Sequence, residues 1–162
     1  MNKFAIFGGI VLGVLGVILL FFIMTNLPTI MRIGGGSSYV YMSLSNGKTI
    51  KIIETARTEQ ERAKGLSGRD KIKPSEGMWF GFDQPGYYPF WMKDMKFDID
   101  IIFLDQNYIV TDIFQNVPAP LSSTEGLPTY QSTRPAQYVL EVLAGVSTGV
   151  VVGDKVTSHS QV

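Results

Sequence analysis

Two hydrophobic patterns divide the chain. From Phe4 to Met24 the sequence runs FAIFGGIVLGVLGVILLFFIM, 21 residues without a polar side chain. At a rise of about 1.5 Å per residue such a run spans roughly the ~30 Å hydrocarbon core of a bilayer, so it predicts a transmembrane helix. Past Tyr39 the pattern changes to short β-branched and aromatic runs separated by turn residues, which predicts strands. Between the two, Gly34-Gly35-Gly36-Ser37-Ser38 reads as a flexible tether. The organisation predicted is a flank at residues 1–3, an anchor at 4–24, a tether at 25–38, a β domain at 39–157 and a tail at 158–162.

Within the domain, Tyr39–Leu44 and Thr49–Glu54 flank Asn46-Gly47, two residues that accept positive φ, and together they predict a hairpin. Thr58 followed by Glu61 fits a capping box, and Gly65 fits a helix stop, which predicts one short helix over Thr58–Lys64. Further strands are expected at Gly77–Phe82, Tyr88–Lys93, Phe97–Leu104, Tyr108–Gln115, Gln137–Leu143, Val150–Val152 and Lys155–Thr157. Asp83–Gly86 and Gln106-Asn107 are expected as turns, Asn116–Pro128 as a loop and Ser158–Val162 as a frayed tail. The fold class is therefore mainly β: an antiparallel sandwich or jelly-roll-like domain with one short helix, preceded by the transmembrane helix.

The apolar run is longer than the core of a cleaved signal peptide, and Thr25–Thr29 offers no small-residue cleavage pattern, which favours an uncleaved anchor. Lys3 on a very short N-terminal flank favours an inside N terminus and an extracytoplasmic domain. From Gly34 onward there are 12 basic and 14 acidic residues, a net charge of −2 that argues against a nucleic-acid partner. The chain has no cysteine, which removes disulfides, thiol nucleophiles and cysteine zinc sites. Its one histidine, His159, sits near the end, so a Ser–His–Asp triad and a histidine metal centre are disfavoured. No phosphate-binding glycine motif is present. Neither a metal nor a cofactor is expected.

What chemistry remains is concentrated in YYPFWMKDMKFDIDIIFLD, residues 87–105, with support from the helix and from residues 137–143. Strand alternation puts Trp91 and Lys93 on one face, within reach of a cation–π contact, and Asp94 on the other. The alternative is a core Trp with a snorkelling Lys. Asp98 reads as solvent-facing. Asp100 lies among Ile99, Ile101, Ile102 and Phe103, and burying a lone carboxylate is costly, so it requires a basic partner or backbone N–H groups. Glu141, inside Tyr138–Val142, calls for a cation on the same grounds, and Arg62 or Lys93 would serve. Arg62 and Arg69 bracket the helix end.

The motifs Glu61-Arg-Ala-Lys-Gly-Leu66, Gly68-Arg69, Gly77-Met78, Phe80, Phe90-Trp-Met-Lys93, Asp100, Phe103, Leu140-Glu141, Gly145 and Gly153-Asp154 occur in that order. In them the chain resembles the prokaryotic domain-of-unknown-function 192 family over roughly Ser43–Thr157. The resemblance implies a compact, mostly β fold of jelly-roll or sandwich type and, often, an N-terminal export signal or anchor. It implies no activity. The chain departs from the family pattern at Asp94-Met95, where Asn-Thr is usual, at Ser67, where Met is usual, and at Asp98, where Pro is common. Asp94 keeps the shape of Asn but gains charge and loses the amide donors.

The expectation from all this is a membrane-anchored extracytoplasmic β domain that binds a small or envelope-derived ligand. The ligand-binding candidates are Arg62, Arg69, Trp91, Lys93, Asp94, Asp100 and Glu141. One alternative is a carboxylate-dependent hydrolase or lyase with Asp100 or Glu141 as base. Another is an assembly protein bearing an exposed apolar patch.

Overall fold

A computed structural model describes residues 39–121 and 126–161. The predicted anchor and the whole of the predicted tether lie outside the described residues. Among the described residues, no helix is long and apolar enough to cross a membrane.

The strands are β1 (Tyr39–Ser43), β2 (Thr49–Ala56), β3 (Glu76–Gly86), β4 (Phe90–Trp91), β5 (Ile99–Leu104), β6 (Val110–Val117), β7 (Thr129–Tyr130), β8 (Ala136–Leu143) and β9 (Thr157–Gln161), with one helix, α1 (Glu59–Lys64). Seven strands form one sheet in the order β6-β5-β8-β3-β2-β1-β9, and β4 pairs with β7 in a separate ribbon. The domain is mainly β with one short helix, as its hydrophobic pattern predicts. The strands do not divide into two sheets of a sandwich. One large sheet curls, and hydrogen bonds from Val110 N–H to the Asp154 carbonyl (2.8 Å) and from Val156 N–H to the Tyr108 carbonyl (2.9 Å) draw the start of β6 towards the lead-in to β9.

The sheet is mixed, not antiparallel throughout. β2 and β3 run parallel. Parallel neighbours need a long crossover, and residues 57–75, including α1, provide it. The Asn46-Gly47 hairpin forms as expected, with β1 antiparallel to β2. Asp83–Gly86, expected as a turn, stays in β3, and a register break between Gly81 and Gly86 accommodates Pro85. The strand expected at Tyr88–Lys93 shrinks to β4. Val150–Val152 forms no strand. The expected tail is instead β9, antiparallel to β1, with the His159 and Tyr41 rings stacked at 5.6 Å.

Hydrophobic residues cover both faces of the sheet. Met78, Phe80, Ile99, Ile101, Phe103 and Val139 belong to one core, and Trp79, Ile102, Leu104, Leu140 and Val142 to the other. Every residue of β5 is buried, because a central strand covered on both faces reads as an almost continuous apolar run instead of alternating. The first core lies beneath α1, its following loop and the 87–97 segment, and here the sheet leaves a space unfilled.

Candidate functional site

Helix α1 is set by its cap. The Thr58 side chain accepts from the Glu61 N–H, and the Glu61 carboxylate accepts from the Thr58 N–H at 2.9 Å. These hydrogen bonds also hold the Glu61 carboxyl below its usual range, through the Arg57 N–H first and then Thr58. The helix stops at Gly65, with φ +48° and ψ −136°, a conformation open essentially to glycine. Its Arg62 is pinned to the sheet: Nη1 donates to the Gly81 carbonyl at 3.2 Å, and the guanidinium lies 4.7 Å from the Phe82 ring centroid. The loop after the helix is tied to the end of β4, since Ser67 Oγ donates to the Lys93 carbonyl at 2.7 Å and Gly68 N–H to the Asp94 carbonyl at 2.9 Å.

Between these parts lies a cavity of about 550 Å³, within the usual range for small-molecule sites. Phe80, Phe82, Tyr88, Phe90 and Trp91 give it an aromatic wall. Phe82 and Tyr88 stack with centroids 3.6 Å apart, and Phe80 meets Phe90 edge-on at 5.1 Å. Trp91 is 52 % exposed at the opening, not buried as a core Trp would be. Lys93 Nζ lies 5.9 Å from its ring centroid, at the outer limit of a cation–π contact.

Glu141 stands in the same cavity. It comes from β8, a central strand, between Met78 of β3 and Ile101 of β5, both fully buried. The residue is only 5 % exposed, and among the described residues its carboxyl has no hydrogen-bond or ion-pair partner. The cation expected from Arg62 or Lys93 does not arrive, because Arg62 is held by backbone carbonyls and Lys93 lies outside at Trp91. With nothing to stabilise the anion, burial pushes the Glu141 carboxyl up to about 8, and it is mostly neutral at pH 7.

Asp100 solves the same problem differently. It is fully buried and accepts from the N–H groups of Asn116 (2.8 Å), Gly145 (3.1 Å) and Ser147 (2.8 Å) and from Ser147 Oγ (2.8 Å). It fastens the turn after β8 to the sheet and faces away from the cavity. A carboxylate sealed in this way has no access to a substrate, so it offers no catalytic base. Arg69 pairs with Glu54 on β2 and also stands outside the cavity. Asp94 has φ +56°, a left-handed conformation that Asp and Asn both tolerate, and its main chain carries the contact to Gly68. The structure thus brings Arg62, Trp91 and Glu141 to one cavity, with Lys93 beside it, and places Arg69, Asp94 and Asp100 elsewhere. It adds Phe82, Tyr88 and Lys64, which sequence reasoning did not single out. The signal for Phe82 was its two-residue spacing from Phe80, which puts both rings on one face of β3.

Residues 42–158 match the DUF192 family, described as "Uncharacterized ACR". Among the solved structures that resemble the chain are the following two. A protein of unknown function from Novosphingobium aromaticivorans DSM 12444 is 30% identical, with a TM-score of 0.62 over 78% of this chain and 89% of that one. A proposed transcription regulator from Sinorhizobium meliloti 1021 is 27% identical, with a TM-score of 0.63 over 75% of this chain and 94% of that one. A search of curated proteins finds no match.

Proposed function

We propose that this chain, which belongs to the domain-of-unknown-function 192 family, is a membrane-anchored, extracytoplasmic binding module for a small or envelope-derived ligand. The anchor in this reading is the apolar segment Phe4–Met24, with Lys3 beside it on the inner side. The observation that carries the binding function is Glu141: a residue 5 % exposed whose carboxyl lines an aromatic-walled cavity, with no partner supplied by the described residues. Among the described residues no fully enclosed side-chain polar atom lacks a hydrogen-bond partner, so the Glu141 oxygens face the cavity and are open to a polar group brought into it. A ligand that lays an apolar face on the Phe82–Tyr88 and Trp91 rings and brings a polar group to Glu141 satisfies both features.

The test is a ligand screen on the full chain in detergent, read by thermal shift and repeated with Trp91→Ala and Glu141→Gln. Binding that both variants lose while remaining folded supports the reading. Ligands that stabilise the variants as much as the native chain bind elsewhere, and the cavity reading fails. The burial of Glu141 also favours a second reading, a hydrolase or lyase in which this acid transfers a proton near neutral pH. That reading requires turnover abolished by Glu141→Gln, and binding without turnover excludes it for the ligand in hand.

A further inference from the structure

The cavity has an acid without a protein partner at its inner end and cations at its opening. Inside is the Glu141 carboxyl. At the opening, Arg62 and Lys64 line the cavity and Lys93 stands beside Trp91. Among the described residues none of these three cations has a carboxylate within ion-pair distance, whereas Arg69, Lys73 and Lys96 all do. Glu59, in the first turn of α1, is the one other acid lining the cavity. Two lining cations against one lining carboxylate, with Lys93 adding a third positive charge beside Trp91, leave the opening positive.

We infer that the ligand is a zwitterion, bound with its ammonium end inward against Glu141 and the aromatic rings and its anionic end outward against Arg62, Lys64 and Lys93. This rests on the cavity being a binding site. Each half of such a ligand meets what the fold leaves unmet. An ammonium among aromatic faces gains cation–π attraction that strengthens as water is excluded, and it supplies the counter-ion that a buried carboxylate requires. A phosphate or carboxylate at the rim is met by guanidinium and ammonium donors. A lipid headgroup and a free amino acid share this chemistry.

The proposal carries a proton signature. The groups around Glu141 on β3 and β5 are Met78, Phe80 and Ile101, none of which titrates. β7 contributes Thr129, the segment before β4 contributes Tyr88, and the helix contributes Glu59, Arg62 and Lys64. Burial pushes Glu141 up to about 8. An incoming ammonium therefore displaces a proton, and its affinity rises with pH below that value by up to about tenfold per unit. A ligand that instead accepts a hydrogen bond from the neutral acid binds more weakly as pH rises.

The full chain, purified in an uncharged maltoside detergent, is titrated calorimetrically with glycerophosphoethanolamine, leucine, ethanolamine and dimethyl phosphate at pH 6 and pH 7. One zwitterion is expected to bind at least about tenfold tighter than either single-charge probe, and about tenfold tighter at pH 7 than at pH 6. The tighter zwitterion, headgroup or amino acid, names the source. Glu141→Gln should remove the pH dependence and most of the affinity while circular dichroism remains native. The inference is overturned if dimethyl phosphate matches the zwitterions, if affinity falls with pH, or if none of the four binds. Uncharged N-phenyl-1-naphthylamine separates the two levels: fluorescence gained on binding and lost in Trp91→Ala keeps the cavity as a binding site, and its absence overturns both.

Discussion

Asp100 and Glu141 stand on adjacent strands one register step apart, Asp100 opposite Val142 and Ile101 opposite Glu141, so the two acids point to opposite faces of the sheet. One receives four hydrogen bonds, three of them from backbone N–H groups. The other receives none from the described residues and opens onto the cavity. Their predicted behaviours on substitution are opposite.

Asp100→Ala removes the acceptor from the buried Ser147 N–H and from the part-buried N–H groups of Asn116 and Gly145, and should destabilise the domain by about 2–3 kcal/mol, since an unmet buried donor costs about 1–3 kcal/mol and a part-buried one less. Asp100→Asn keeps one carbonyl acceptor and should cost less. Denaturant unfolding of both variants measures this. A loss below about 1 kcal/mol for the Ala variant would mean that the network is not what holds the turn after β8.

Glu141 should make stability fall as pH rises. Its carboxyl has a value of about 8 in the folded chain against 4.5 ordinarily. The folded state therefore holds the proton that the unfolded state releases between these values, and the contribution is full below the lower and lost through the upper. The slope approaches about 1.4 kcal/mol per pH unit, or roughly 2–3 kcal/mol between pH 5.5 and 7.5. Unfolding midpoints at those two pH values should show this loss in the native chain and a flatter profile in Glu141→Gln. Equal profiles would place the Glu141 carboxyl in water.

Trp91 and Phe90 are neighbours in β4 with different tasks. Phe90 is buried and packs against Phe80, Phe82 and Phe103, so Phe90→Ala should cost about 3–5 kcal/mol. Trp91→Ala, at an exposed position, should change stability by less than about 1 kcal/mol while removing ligand binding. A collapsed thermal transition in Trp91→Ala would make Trp91 part of the core.

Arg69→Ala is the control. Its ion pair with Glu54 has side chains 38% and 32% exposed, so solvent screening limits the loss to about 0–1 kcal/mol. Ligand affinity should not change, because Arg69 does not line the cavity. A several-fold loss of affinity would extend the site to the β2 side of the helix.

Local signals carried much of the fold. Asn46-Gly47 and the Thr58–Glu61 box act within a few residues, and each formed its element where the chain pattern put it, whereas the β-branched run Val150–Val152 formed no strand. The parallel β2–β3 pair was hidden because it depends on where a crossover of 19 residues delivers the chain. β9 was hidden because its polar residues, all exposed, carry no hydrophobic period, and their pairing is supplied by the β1 edge. In the site, the need of Asp100 and Glu141 for partners followed from their apolar neighbours. Which of the two would be satisfied did not, because the N–H groups that answer Asp100 come from residues 16 to 47 positions away.

Everything proposed for the cavity depends on Glu141 standing in it as a buried acid without a protein partner. A carbon-13 NMR titration of the glutamate side-chain carboxyls in the full chain, with Glu141→Gln to assign the resonance, measures this directly. The predicted midpoint is about 8, well above the 4.5 of an ordinary glutamate. A Glu141 resonance that titrates near 4.5 would contradict it, showing the carboxyl to be solvated or paired and the cavity to lack its polar anchor.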